Sequence, residues 1–232
     1  MVQQKPKPKT SRVRSKFDAN KQAIALTPRN PNQKAYIEAL DSSDQVIVCG
    51  PAGTGKTYIV STYAANAYNL KQINKIVITR PHVPVGKDIG FLPGTLEEKS
   101  APWALPVLDV LERHLGKGVV ETGLKNGNIE VAPLALMRGR SFENTLVLAD
   151  ECQNITLPEL KMLVTRVGEG SKLVLNGDIQ QSDLKESDGL SKIIHLTKKH
   201  LLPIPIVEFT TDDIVRSGIC KDWIKVFTKE GL

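Results

Sequence analysis

Eight consecutive residues, Gly50, Pro51, Ala52, Gly53, Thr54, Gly55, Lys56 and Thr57, carry the clearest chemistry in the chain. They satisfy G-x-x-x-x-G-K-[ST] at every fixed position, follow a β-branched run and open a helical pattern, which is the context this spacing needs to hold phosphates. The three glycines let backbone N–H groups turn inward around a phosphate chain, and the helix that follows adds the positive end of its dipole. Lys56 is placed to reach the β- and γ-phosphates, and the Thr57 hydroxyl to hold Mg²⁺. A merely flexible glycine-rich turn has no use for the Lys-Thr pair. The segment is read as the binding site of a nucleoside triphosphate.

Asp150 and Glu151 end the apolar run Thr145–Ala149. At the carboxyl edge of a parallel sheet their side chains would emerge beside the phosphate loop. Asp150 is assigned to the metal and Glu151 to the attacking water, which it would orient or deprotonate. The next apolar run leads into Leu175-Asn-Gly-Asp178-Ile-Gln-Gln181, a polar loop that could set an amide next to the γ-phosphate. Gln181 is the first choice for that amide and Gln180 the second; the bland alternative is an Asn-Gly turn followed by solvated glutamines.

The elements that must position these residues are visible as alternating patterns. Gln45–Cys49, Lys75–Thr79, Thr145–Ala149, Lys172–Leu175 and Ile204–Phe209 read as strands, and their unbroken apolar character predicts burial on both sheet faces. Pro31–Leu40, Lys56–Ala67, Leu157–Val167 and Leu190–Lys199 have helical spacing. Strand–helix alternation predicts an α/β fold with a mainly parallel sheet flanked by helices. The stretch from about 81 to 140 reads as an irregular insertion with one helix, Ala104–Leu115, and not as a second domain.

At 232 residues, 41% hydrophobic and 24% charged, the chain fits one compact domain. No apolar run reaches the roughly 18–20 residues that span a bilayer, and no leader-like apolar region follows the first methionine. The three cysteines are isolated and odd in number, which disfavours a disulfide framework or a zinc site and points to the reducing cytoplasm. The net charge of +6 lies in residues 1–22, which hold seven basic residues against Asp18, leaving 24 of each sign in the rest. This basic tail is expected to be disordered, either as an arm on nucleic-acid phosphates or as a solubilising extension, with the domain occupying 23–232.

Taken together, Gly50–Thr57, Leu148-Ala-Asp-Glu-Cys-Gln-Asn154, Thr165-Arg-Val-Gly-Glu-Gly-Ser-Lys172 and Asn176-Gly-Asp-Ile-Gln-Gln-Ser-Asp183 resemble the PhoH family of ATPases. That family is itself similar to the first motor lobe of superfamily I helicases. The resemblance runs from about Thr27 to Phe227 and includes Ile78-Thr-Arg-Pro81, Gly90-Phe-Leu-Pro-Gly94, Ala132–Arg140 and Asp213-Ile-Val-Arg216. It implies a RecA-like P-loop domain that binds and hydrolyses ATP with Mg²⁺, and it raises Gln181 as the γ-phosphate sensor. It also places Gln33 where related ATPases read the adenine edge, a task suited to an amide that can pair bidentately. Cys152 stands where the family usually has alanine and is read as a packed residue.

A helicase has two motor lobes, the second supplying an arginine to the nucleotide, and this chain has room for one. A cation on the developing charge speeds phosphoryl transfer by about a thousandfold or more. A neighbouring copy could supply it, so the expectation is a homo-oligomer, with a ring as its closed form, and Arg216, Arg138, Arg140, Arg80 and Arg166 as candidates. Trp103 and Phe91 are the candidates for stacking bases. The leading function is an ATPase coupled to single-stranded RNA or DNA. The alternatives are a nucleoside kinase of the thymidine type, whose Asp-Glu-Cys-Gln stretch Asp150–Gln153 matches, and a nucleotide-gated interaction protein with little turnover. Thymidine kinases carry a cysteine-rich zinc ribbon near the C-terminus, where this chain has only Cys220.

Overall fold

A computed structural model describes residues 23–81, 96–182 and 189–216, with isolated positions as far as 230. The basic tail 1–22 and Phe91 lie outside the described residues. Six strands form one sheet: β1 (Gln45–Cys49), β2 (Lys75–Arg80), β3 (Ile129–Pro133), β4 (Thr145–Ala149), β5 (Lys172–Gly177) and β6 (Ile206–Glu208), in the order β3-β2-β4-β5-β1-β6. Every pairing is parallel. The chain therefore has an α/β fold, a parallel sheet flanked by helices.

Strand alternation builds two cores. Val46 and Val48 of β1, with Leu146 and Leu148 of β4, face α1 (Pro31–Ser42), α2 (Lys56–Asn69), α3 (Leu96–Leu115) and α4 (Lys117–Lys125). Ile47 and Cys49, with Val147 and Ala149, face α5 (Leu157–Val164) and α6 (Gly189–Lys199). Period-two side-chain alternation explains why continuous apolar strands need helices on both sides. Among the described residues no helix is long and apolar enough to cross a membrane.

Local chemistry sets the helix ends. The Asn30 side chain caps α1 by accepting from the Gln33 N–H, with Pro31 opening the first turn. A Thr156–Glu159 capping box starts α5. That helix stops at Val164, three residues before the expected end, because Val167 bridges to Phe142 instead.

The stretch expected to be irregular contains α3, α4 and β3. α3 is longer at its N-terminal end than the reading from Ala104 and carries Pro102 and Pro106 inside it. The added turns take in Pro102, so the helix runs through a second residue that lacks a backbone donor. β3 was missed because IEVAP is short, mixed in polarity and ends in proline. It pairs only with β2 at the sheet edge, where Glu130 bonds to Lys75 and Arg140.

The strand register sets up the site. Cys49 lies opposite Gly177, Leu175 opposite Ala149, and Ala149 opposite Thr79. The segments leaving β1, β4, β5 and β2 therefore emerge along one carboxyl edge.

Candidate functional site

The turn from β1 into α2 requires glycine at particular points. Gly53 and Gly55 have φ of 84° and 91°, in the left-handed region, and a Cβ on Gly53 would stand 2.9 Å from the Arg216 side chain. A Cβ on Gly55 would lie 3.0 Å from the Gln33 amide nitrogen. Pro51 and Ala52 carry the loop from Gly50 to Gly53, and the Thr54 hydroxyl donates to the Pro51 carbonyl at 3.1 Å. The Lys56 ammonium, at the start of α2, donates to the carbonyls of Gly50 at 2.5 Å and Pro51 at 2.9 Å. Burial lowers the Lys56 pKa, and the charges of Asp178, Asp150 and Glu151 oppose that effect.

Across the same cleft, of about 380 Å³, stand Asp150 and Glu151. The Asp150 N–H donates to the Thr79 carbonyl at 2.9 Å, extending the β4 pairing by one residue. Loss of hydration, and then the charge of Glu151, pushes the Asp150 carboxyl up to about 6. Two adjacent carboxylates that resist sharing their charge form a place where a cation is welcome. Glu151 has φ of 54°, unusual for a residue with a Cβ. Its carboxylate is held from two sides, by Arg80 at 3.3 Å and by the Gln153 amide at 2.6 Å.

Two residues at this edge were not singled out from the sequence. Gln153, 1% exposed, donates to Glu151 and accepts from the Asp178 N–H at 3.0 Å, so it ties the β4 carboxylate to the loop after β5. Asn176 donates to Asp150 at 2.8 Å and to the Thr57 hydroxyl oxygen at 3.2 Å. The Asn-Gly pair that could have been a turn is in fact the end of β5. The available signal was an amide placed directly after the buried run Leu173–Leu175 in a parallel strand.

The remaining sequence candidates separate. Gln181 lines the cleft, whereas Gln180 lines the neighbouring cavity and donates its N–H to Asp178 at 3.1 Å. Gln33 is 4% exposed; its amide oxygen accepts from the Arg29 N–H at 2.8 Å and its amide nitrogen donates to the Thr54 carbonyl at 2.9 Å. Both ends of that amide therefore hold α1 to the phosphate loop and to the segment that precedes the helix.

Arg216 and Arg80 line the cleft of their own chain. Arg140 is spent on a bidentate pair with Glu130 and lies over the Phe142 ring at 5.3 Å. Arg138 is exposed, and the Arg166 side chain has a buried Nε without a partner among the described residues. Neither lines the cleft. Trp103 is half-buried against the core and forms part of the cleft wall. Cys152 is fully buried, with its Sγ donating to the Ala149 carbonyl.

The side chains lining the cleft suit a phosphate chain with a hard divalent cation: one ammonium, a hydroxyl and a carboxylate joined by one amide, and two guanidiniums. Among the described residues no three His, Cys, Asp or Glu gather to hold a metal.

The chain is similar to known proteins over most of its length. Protein PhoH of Escherichia coli is 40% identical over 207 residues, covering 88% of this chain and 58% of the relative. The PhoH-like protein of Bacillus subtilis is 37% identical over 214 residues, covering 91% of this chain and 66% of the relative. The chain thus spans about three-fifths of the length of the curated relatives it matches. Among solved structures, a Sulfolobus solfataricus SWI2/SNF2 ATPase core in complex with dsDNA aligns with 82% of this chain and 46% of its own, at a TM-score of 0.46 and 14% identity. A family model described as PhoH-like protein matches residues 25–228, which takes in the sheet, its helices and the whole cleft, and the chain belongs to that family.

Proposed function

We propose that the protein is a Mg²⁺-dependent ATPase whose turnover is coupled to single-stranded RNA or DNA. The observation that carries this reading is the meeting of Lys56 and Thr57 with Asp150 and Glu151 across one cleft, linked by Asn176. Loop N–H groups from Gly50 to Thr57 would cradle the phosphates, with Lys56 exchanging its loop carbonyls for phosphate oxygens. Thr57 and Asp150 would hold Mg²⁺, whose charge would offset that of the β- and γ-phosphates. Glu151 orients the attacking water and takes its proton, and Gln181 lies at the same edge to report the γ-phosphate. Arg80 and Arg216 supply positive charge from within the chain. Gln33 supports the adenine side by holding the loop against α1.

Coupling to nucleic acid rests on the basic tail and the family. The homo-oligomer rests on the sequence argument alone, since two arginines already line the cleft of their own chain. A cytoplasmic setting goes with Cys49 and Cys152, which are buried and form no disulfide among the described residues. The test is steady-state ATP hydrolysis at low salt, with and without single-stranded RNA and DNA, for the wild type, Lys56→Ala and a deletion of residues 1–22. Lys56→Ala should weaken nucleotide binding at least tenfold, since a charge-assisted hydrogen bond is worth about 1.5–3 kcal/mol. Stimulation abolished in both variants supports the coupled ATPase. Slow, unstimulated turnover that still needs Lys56 favours a nucleotide-gated interaction protein, and turnover that depends on thymidine overturns both.

A further inference from the structure

Asn176 sits on β5 opposite Val48 of β1 and is 1% exposed, in a part of the sheet otherwise built from apolar side chains. A valine or leucine would suit the packing, and an amide there costs stability unless its polar atoms are matched. Its two N–H bonds are matched: one goes to Asp150 at 2.8 Å and one to the Thr57 hydroxyl oxygen at 3.2 Å. These partners come from different elements, the segment after β4 and the first turn of α2. Turning the amide over would set its oxygen against the Asp150 carboxylate, so the orientation follows from charge. The Asn176 Oδ1 is left buried with no hydrogen-bond partner among the described residues. An unmatched buried acceptor costs about 1–3 kcal/mol and calls for a partner that the fold itself does not supply.

We propose that Asn176 is a positioning residue for the divalent cation. Its Nδ2 holds the Thr57 hydroxyl and the Asp150 carboxylate at one point, and its Oδ1 accepts a hydrogen bond from a water in the cation's hydration shell. This rests on the ATPase reading above. Mg²⁺ keeps several of its waters, and each such water directs its oxygen at the ion and can only donate outward. A buried acceptor beside the two protein oxygens that would hold the ion meets that need. Residues that orient metal ligands in this way typically change metal affinity by about 10–100-fold when removed.

The experiment measures equilibrium binding of a fluorescent ATP analogue to the full chain, in EDTA and across a MgCl₂ titration. It compares the wild type, Asn176→Leu, Asn176→Ala and Lys56→Ala, each checked by thermal melting. The expected result is that both Asn176 variants bind the analogue in EDTA within about twofold of wild type. Both should also need about tenfold or more Mg²⁺ to reach half of the metal-dependent tightening. An unchanged Mg²⁺ midpoint overturns the proposal while leaving the ATPase reading intact. An equal loss of affinity with and without Mg²⁺ also overturns it, since Asn176 would then shape the loop. Loss of the fold in both variants assigns Asn176 to structure alone and overturns it too. No analogue binding by the wild type, or binding unaffected by Lys56→Ala, removes the ATPase reading and this proposal together.

Discussion

Glu151 pairs an uncommon backbone conformation with a carboxylate held by both Arg80 and Gln153. An amide in its place keeps the shape and an oxygen for Arg80 but cannot take a proton. Glu151→Gln should therefore leave nucleotide affinity within a few-fold and slow hydrolysis by about 10²–10⁴. Binding and single-turnover measurements on the same preparation check this, and an undiminished rate would remove Glu151 from the chemistry. Gln33 calls for the opposite kind of test. Because its amide is bonded to Arg29 and Thr54, Gln33→Ala should destabilise the protein without nucleotide by about 1–3 kcal/mol in urea unfolding. A side chain serving only the adenine would leave that stability unchanged. The phosphate loop, Asp150 and Glu151 were legible because each lies in a short run with its own local signature. Asn176 and Gln153 were not, because an amide acquires a role only from what the fold sets beside it.

At the scale of elements, β3 shows why one edge of the sheet was hidden. One of its residues, Glu130, is half-buried and bonds to Arg140 and Lys75. Those bonds, Arg140's first, hold its carboxyl down at about 2. A depressed carboxylate pKa adds stability that is complete above the unfolded value, near 4.5, and fades as the pH falls through the folded value. After allowance for solvent screening of a partly exposed cluster, the contribution at neutral pH is about 1–2 kcal/mol. Urea unfolding of Glu130→Gln should show that deficit against wild type at pH 7, and the gap should close between about pH 4.5 and 2. A gap independent of pH would mean that the ion cluster does not hold β3. The central strands were easier to find, since burial on both faces writes itself as an unbroken apolar run. β3, with Glu130 inside it and Pro133 at its end, carries no such run.

For the whole molecule, the division of charge matters most. Residues 23–232 are neutral by count, and the excess of +6 lies in residues 1–22. If that tail grips a single strand, its deletion should flatten the dependence of log affinity on log salt. Each phosphate that the shortened chain no longer neutralises reduces the slope by about 0.7, so the change is at most about 5 for the tail's seven cations. Fluorescence anisotropy with labelled single-stranded RNA between about 50 and 200 mM salt, a range chosen for its steep effect, measures it. An unchanged slope would assign any strand binding to the domain itself. Light scattering on the same protein addresses assembly, and a monomer with full ATPase activity would overturn the homo-oligomer.

Taken alone, the sequence determined the alternation of strand and helix, the phosphate loop and the acidic pair that follows β4. Each is encoded over fewer than about fifteen neighbouring residues, by hydrophobic period or by a fixed motif. Only the tertiary structure decided that Asn176 joins Thr57 to Asp150, that Gln33 fastens α1 to the loop, and that Arg80 and Arg216 reach their own chain's cleft. The same holds for β3, which becomes a strand by pairing with β2. These pairings join residues far apart in the chain, and they depend on strand order and register, which no local pattern specifies. A parallel sheet brings its carboxyl ends together only once every strand has found its neighbour.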